Sequence, residues 1–336
     1  MNNRLKSSLL LAISGTLLLL GSCKKDKTIV NSVKSAFTNF SQWRQSLAVP
    51  AQKFRLDMST GGTIRGDRGY EFTLRPGTLV DGSNNPITGN VDIELIEVTN
   101  AYEMMATGAG TLANDGILGS VGMFSLNISQ NGQPVNVNRS QPIQAMVTAN
   151  PNASMQDVRL FSGNVNDTTF DDPTVQWREQ NDSIRFNADS LRDVWDSIQK
   201  SFIRKRCIRF ELNFLSWCNL DKYWNNPNGE AIVVHIPGTA DHLDTKVFMY
   251  IEQENLKGLV PMFFNGRGAN DQRVFSSNLY KLPLGWNIRI IVVTRDKDYN
   301  LFYETRIITN ATGAVHEFKD LKSVSDLDLE KFFRGL

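Results

Sequence analysis

The stretch FSLNISQNGQPVNV, residues 124–137, decides the fold class. Phe124, Leu126 and Ile128 alternate with polar residues, which is the period of a strand that is buried on one face only. Asn131-Gly132 follows, a dipeptide typical of two-residue hairpin turns, and a second short apolar alternation comes after it. The stretch therefore predicts an antiparallel β-hairpin.

Working outward, the same kind of pattern recurs on both sides of this hairpin. Val91, Ile93 and Leu95 alternate with other residues, and turn dipeptides stand at Asp81-Gly82 and Thr88-Gly89. Later strands are predicted in five stretches rich in Val, Ile, Phe and Tyr: residues 208–214, 231–236, 246–253, 287–294 and 302–309. We expect a mainly β chain with two β-sandwich-like domains, at residues 51–150 and 207–322.

Three helices are expected outside the two sandwiches. A short one should lie between Val33 and Leu47, and a C-terminal one within residues 323–336, where Ser325 and Asp328 have the spacing of a helix cap. Residues 151–206 are expected to form a connector whose amphipathic helix lies near residues 189–205. Five apolar residues at helical spacing carry that prediction: Leu191, Val194, Trp195, Ile198 and Phe202.

The first residues have the pattern of an export signal. Arg4 and Lys6 precede an apolar run that ends at Leu20, and this run is shorter than the roughly 20 residues that span a bilayer as a helix. The order Leu20-Gly21-Ser22-Cys23 resembles the lipobox of bacterial lipoproteins. That resemblance implies a signal peptide over residues 1–22, cleavage before Cys23, and a diacylglycerol on its sulfur with acyl chains such as palmitate. The alternative is an ordinary secretory signal with a chance cysteine.

Residues 23–50 would then be a lipidated tether followed by the short helix. Lys24 stands directly after the cysteine, where enteric-type lipoproteins kept in the inner membrane carry an aspartate. We therefore expect a cell-envelope protein anchored in the outer membrane, with its leaflet left open.

Part of the first sandwich resembles a known family. The segments GGTI (61–64), YEFTLRPGTL (70–79) and GNVDIEL (89–95) are similar to the opening of the ZU5-type β-sandwich, although Thr78 stands where that family tends to have alanine. ZU5-like domains are interaction and structural modules without catalytic residues. The resemblance therefore implies a module that binds and does not catalyse.

Charge and motifs exclude several classes of function. The chain has 36 basic and 35 acidic residues, so it lacks the basic footprint of a nucleic-acid-binding protein. Its three histidines stand in no zinc-binding arrangement, and it has neither a phosphate-binding glycine motif nor a Gly-x-Ser-x-Gly motif. We expect no cofactor, no metal and no catalytic residue. Asp92 and Glu94, which could suggest a hydrolytic pair, alternate with apolar residues and are expected to be solvated.

Three features leave alternatives open. Cys207 and Cys218 could form a disulfide in an oxidising envelope or remain two buried thiols. Trp217, Tyr223 and Trp224 stand beside amides, which suits contact with a glycan but also ordinary packing. Thr168 and Ser183 follow aspartates in a pattern that resembles O-glycosylation acceptors of exported bacterial proteins.

The function favoured by the sequence is a non-enzymatic interaction or scaffolding module, anchored in the membrane through Cys23, whose partner is an envelope protein or a glycan. The alternative is a carbohydrate-binding or glycan-acting protein that uses Trp217, Tyr223 and Trp224. Nothing in the sequence identifies the partner.

Overall fold

The computed structural model describes residues 34–166, 174–180, 188–224, 226, 228–238, 241–277 and 280–336. Cys23, the predicted signal peptide, the start of the predicted tether, Thr168 and Ser183 all lie outside these residues, so lipidation and glycosylation there stay predictions. The described residues belong to one compact unit. They are mainly β, and they include the predicted C-terminal helix, so the predicted fold class is confirmed.

The described helices are α1 (Phe40–Ser46), α2 (Ala101–Thr107), α3 (Asp326–Arg334) and a short 3-10 helix, Ala269–Asp271. The strands before residue 150 are β1 (Gln52–Asp57), β2 (Gly62–Arg65), β3 (Glu71–Leu74), β4 (Leu79–Val80), β5 (Asn90–Val98), β6 (Leu112–Ala113), β7 (Gly116–Gln130), β8 (Gln133–Pro134), β9 (Asn136–Val137) and β10 (Ile143–Ala149). The next are β11 (Arg159–Asn166), β12 (Thr174–Glu179), β13 (Ala188–Asp196), β14 (Ser201–Leu212) and β15 (Ser216–Tyr223). The last are β16 (Val233–Ile236), β17 (Thr245–Gln253), β18 (Leu256–Pro261), β19 (Phe263–Arg267), β20 (Arg273–Ser276), β21 (Asn287–Arg295), β22 (Leu301–Thr309), β23 (Val315–Glu317) and β24 (Lys322–Ser323).

The first sandwich is built around β7, the long strand that contains the stretch quoted above. β5 pairs with one edge of β7 and β15 with the other, and β11 and β12 extend the sheet beyond β15. A second sheet, ordered β13-β14-β10-β3-β2, packs against it. Phe72 of β3 meets Phe124 of β7 edge-on, with ring centres 4.9 Å apart. The hairpin turn after β7 is confirmed, because Asn131 and Gly132 both have positive φ, at 53° and 77°.

The second half repeats this arrangement with strands from residue 233 onward. β18, β17, β21, β22 and β24 form one layer, and β19, β20, β16 and β23 form the other. The two halves share a sheet, because β18 also pairs with β7 at Lys257 and Ser120. Residues 151–223 contribute β11 to β15, which complete the first sandwich. The strands of the first sandwich therefore extend to residue 223, whereas the sequence predicts the end of this sandwich at residue 150 and the start of the second at residue 207.

The helix predicted near residues 189–205 is wrong, because this segment is the hairpin of β13 and β14. Trp195 pairs with Phe202 across the hairpin, and residues 197–200 form its turn. The carboxylate of Asp196 accepts hydrogen bonds from the backbone N–H groups of Ile198 and Gln199, at 3.1 and 3.0 Å. Such a bond offers the backbone an alternative to helical hydrogen bonding, so the chain reverses at this point.

The three helices pack together on the face of the large sheet that points away from the second sheet. The rings of Trp43 in α1 and Phe333 in α3 lie 6.2 Å apart, and Tyr102 in α2 donates a 3.0 Å hydrogen bond to the carbonyl of Leu47. The apolar side of the predicted first helix is thus buried within the protein. The predicted cap of α3 is confirmed, since the hydroxyl of Ser325 accepts from the N–H of Asp328. No helix in the described part of the chain is both long and apolar enough to cross a bilayer.

Candidate interaction surface

The aromatic residues proposed for glycan contact do not form a common surface. Trp217 and Tyr223 belong to the hydrophobic cluster on the helix side of the sheet, whereas Trp224 belongs to the cluster between the sheets. Trp217 packs edge-on against Trp177, and the half-buried Tyr223 packs edge-on against Phe161. The structure therefore favours the packing alternative for these three residues, and it leaves no aromatic platform for a sugar at this place.

Trp224 has a specific structural position. Its indole lies between two glycines, and a Cβ added at Gly119 or Gly258 would come within 2.3 or 2.8 Å of it. Gly119 belongs to β7 and Gly258 to β18, so Trp224 fills the place where the two halves meet. The indole is 97 % buried, and it also packs edge-on against Trp286. Its ring N–H has no hydrogen-bond partner.

The disulfide alternative for Cys207 and Cys218 is wrong. Both are free, buried thiols, and they lie in different sheets, Cys207 opposite Thr148 and Cys218 opposite Phe124. Burial raises the pKa of both thiols. Neither thiol is therefore placed to act as a nucleophile, which requires an exposed sulfur with a lowered pKa.

We expect a reductant to leave the melting temperature of the chain beginning at Lys24 unchanged, because no disulfide constrains its unfolded state. A disulfide closing this short loop would contribute about 3 kcal/mol, so its reduction would be plain in a thermal melt. A thiol reagent should label Cys207 and Cys218 only after unfolding. A fall in melting temperature on reduction would contradict the free-thiol arrangement.

Of the three carboxylates on β5, two are exposed to solvent and one is buried and holds a neighbouring loop. Asp92 and Glu94 are exposed, and Glu94 lies 3.5 Å from Lys53 on the neighbouring strand. Glu97 is buried, and burial raises its pKa. It accepts hydrogen bonds from the side chain of Gln52 and from the backbone N–H groups of Arg68 and Tyr70, which fixes the loop between β2 and β3.

A second buried carboxyl group belongs to Asp221 on β15. The amide of Asn219 donates a hydrogen bond to it, and Asn219 in turn accepts one from the hydroxyl of Ser120. Asp221 and Asn219 are fully buried, and burial raises the pKa of Asp221 well above its ordinary range. Because no surface of this group is accessible, a substrate cannot reach it.

An apolar cavity of about 240 Å³ lies between α1, α2 and β18. Phe40, Met104, Met105 and Leu259 form much of its wall, and Arg44 lies beside them. Of the described side chains that line it, none is a carboxylate, a histidine or a thiol. Its lining therefore suits contact with an apolar group, with the hydroxyl groups of Thr174 and Tyr280 as polar neighbours. Elsewhere in the described residues, no group of three or more His, Cys, Asp or Glu could hold a metal ion.

Among the described residues, four exposed large apolar side chains lie together on the β13–β14 hairpin. We call this group the hairpin face, and it consists of Leu191, Trp195, Ile198 and Phe202, whose exposed fractions are 47, 47, 57 and 71 %. Trp195 and Phe202 stack edge-on at 5.3 Å. A group of large apolar side chains that stays exposed to solvent is typical of a binding surface.

The opposite side of the hairpin is fixed to the first sandwich. Ser197 donates its N–H to the carbonyl of Asp67, and Lys205 donates to the carbonyl of Arg68 and to the carboxylate of Asp196. Val194 packs so closely on Gly69 that a Cβ there would lie 2.2 Å from its methyl group. The hairpin therefore cannot rotate to bury its outer side chains. The sequence predicts these residues as one face of an amphipathic helix, whereas the structure places them on the outer side of a β-hairpin.

Comparisons with known proteins add little. No family model matches the chain, and no curated protein matches it. One similar solved structure is the γ-CGTase from alkalophilic Bacillus clarkii, at 8 % identity and a TM-score of 0.20, with 82 % of this chain and 41 % of that chain covered. Another is a sugar-binding protein titled pneumolysin, at 7 % identity and a TM-score of 0.16, with 84 % of this chain and 71 % of that one covered. TM-scores this low carry no argument about fold or function.

Proposed function

We propose that this protein is a lipid-anchored component of the cell envelope that binds other envelope components without catalysing a reaction. The hairpin face is the observation that carries the proposal. It is fixed in place and exposed, while the candidate aromatic residues Trp217 and Trp224, the two thiols and Asp221 are buried. The lipobox-like sequence ending at Cys23 supports an anchor in the outer membrane, and the resemblance of residues 61–95 to ZU5-type domains supports a binding role.

Photo-cross-linking in cells tests this function on the full chain. A photoreactive residue at position 195 or 202 lies on the hairpin face, and one at Ile307 or Leu327 lies at a similarly exposed apolar site elsewhere. We expect cross-links to envelope components from positions 195 and 202, and none from the two control positions. In a chain whose residues 1–22 are replaced by a cleavable secretory signal, with Ser at position 23, these cross-links should weaken, because no lipid anchor then holds the hairpin face beside the membrane. Equal capture from all four positions, or none, would overturn the proposal.

A further inference from the structure

The hairpin that carries this face has a net positive charge, which matches an anionic partner. Residues 190–206 include five basic and two acidic side chains, a net charge of +3. Both carboxylates are already engaged, Asp193 with Arg204 and Asp196 with Lys205. Lys200 is exposed within the turn itself, beside the apolar tip. Such a surface is complementary to an anionic one.

The order of residues along the hairpin sets a depth. Ile198 lies in the turn, and the first cross-strand pair on the outer side is Trp195 with Phe202. The next pair on that side is Asp193 with Arg204, two residues farther back, which is about 7 Å along a strand. Apolar groups are thus confined to a short tip that ends at an ion pair. That length matches the shallow layer, about 5–10 Å, into which interfacial segments enter a bilayer.

We propose that the tip of the hairpin face, Trp195, Ile198 and Phe202, inserts into the surface layer of a bilayer that contains anionic lipids. Aromatic rings are favoured at this layer, and Lys200 and Arg204 lie where they can contact lipid phosphates. Leu191 lies beyond the Asp193–Arg204 pair and stays outside the apolar layer. The inference rests on the hairpin face being the contact surface in the proposed function, but it does not depend on lipidation of Cys23.

A flat protein partner or a second copy would use the face differently. A docked protein would cover Leu191 together with the tip, so all four apolar residues would contribute to binding. A second copy could instead pair with β13, which is the edge strand of its sheet among the described strands. Only binding to a bilayer would use the tip residues without Leu191. Substitutions at the tip and at Leu191 therefore distinguish the three partners.

Vesicle co-sedimentation tests the inference with the chain Lys24–Leu336, which retains the whole compact unit from residue 32 onward. We expect binding to vesicles of phosphatidylcholine with phosphatidylglycerol, and weak binding to phosphatidylcholine alone. Phe202→Ser and Trp195→Ser should each weaken partitioning into the vesicles about tenfold, since each removes a large apolar side chain that would enter the bilayer. Lys200→Glu should weaken binding to the anionic vesicles only. Leu191→Ser and the exposed control Ile307→Ser should leave binding unchanged.

All of these substitutions are at exposed positions, so unchanged melting temperatures will confirm that the variants fold. Vesicle binding that Phe202→Ser leaves intact would overturn the inference, as would a loss with Leu191→Ser equal to that with Phe202→Ser. Self-association that the tip substitutions abolish would assign the surface to a second copy. Failure to bind vesicles, together with position-specific capture of a protein in cells, would overturn the bilayer inference and leave the proposed function standing.

Discussion

Trp224→Ala should lower the free energy of unfolding by about 3–5 kcal/mol, the usual loss when a buried tryptophan is truncated. The indole fills the slot between Gly119 and Gly258, so its removal leaves a cavity where the two halves of the large sheet meet. The glycines cannot close this gap, because they have no side chains to move into it. Equilibrium denaturation by urea, followed by circular dichroism, measures the loss.

Two variants make this result specific. Trp224→Phe keeps most of the packing and removes a ring N–H that has no partner, so it should cost clearly less, about 1–2 kcal/mol. Trp195→Ala truncates the same residue type at an exposed position on the hairpin face and should change stability by no more than about 0.5 kcal/mol. Equal losses for Trp224→Ala and Trp195→Ala would show that the slot does not hold the two halves together.

Asp221→Asn should stabilise the protein at neutral pH and have little effect in acid. Burial raises the pKa of Asp221 in the folded state above its value in the unfolded chain, which is about 3.9. Below that pH both the folded and the unfolded state carry the proton, so the ionisation of Asp221 does not lower the free energy of unfolding. Above it the unfolded state releases the proton while the folded state keeps it, so stability falls as pH rises, by about 1.4 kcal/mol per pH unit between the two pKa values.

The asparagine keeps an oxygen that can accept the hydrogen bond from Asn219 and cannot ionise. Its advantage over the wild type should therefore be near zero at pH 4 and grow steadily as the pH rises toward 7. Asp92→Asn, at an exposed position on β5, is the matched control and should change stability by no more than about 0.5 kcal/mol at either pH. Urea denaturation of all three proteins across this pH range measures the difference. Parallel stability curves for the wild type and Asp221→Asn would contradict it.

The elements that the sequence predicts correctly are those whose signals are local. The alternation from Phe124 to Ile128 and the Asn131-Gly132 turn contain all that a hairpin needs, and both have the predicted geometry. The cap at Ser325 is equally local. Helix α2 has a similar local signal, since Asn100 accepts a hydrogen bond from the N–H of Glu103 at capping spacing. The sequence analysis does not predict this helix, because it has only 7 residues and lies between strands.

The helix predicted near residues 189–205 failed for a reason of periodicity. Leu191 and Trp195 are four residues apart, as are Ile198 and Phe202, and a spacing of four puts side chains on one face of a helix and also on one face of a strand. The deciding contacts are with Asp67, Arg68 and the neighbouring strand β10, all distant in sequence. Local pattern alone could not choose between the two structures.

The sequence itself contains one reason why Trp217 and Trp224 do not form a shared glycan site. Trp217 and Trp224 are an odd number of residues apart, so a continuous strand places them on opposite faces. Their burial depends on which elements cover each face of β15, and those elements come from both ends of the chain. The hairpin face could not be located from the sequence either, because its exposure follows from a docking partner more than a hundred residues away.

The position of β15 also determines when the protein can begin to fold as it is made. This strand lies between β7 and β11, so the first sandwich has a gap in its middle until residue 223 is available. A chain that stops near residue 150 would keep β5, β7 and β10 but expose the edge of β7 that pairs with β15 and the edge of β10 that pairs with β14. Truncations intended to isolate the first sandwich should therefore end after Trp224, and shorter ones are expected to aggregate through the open strand edge.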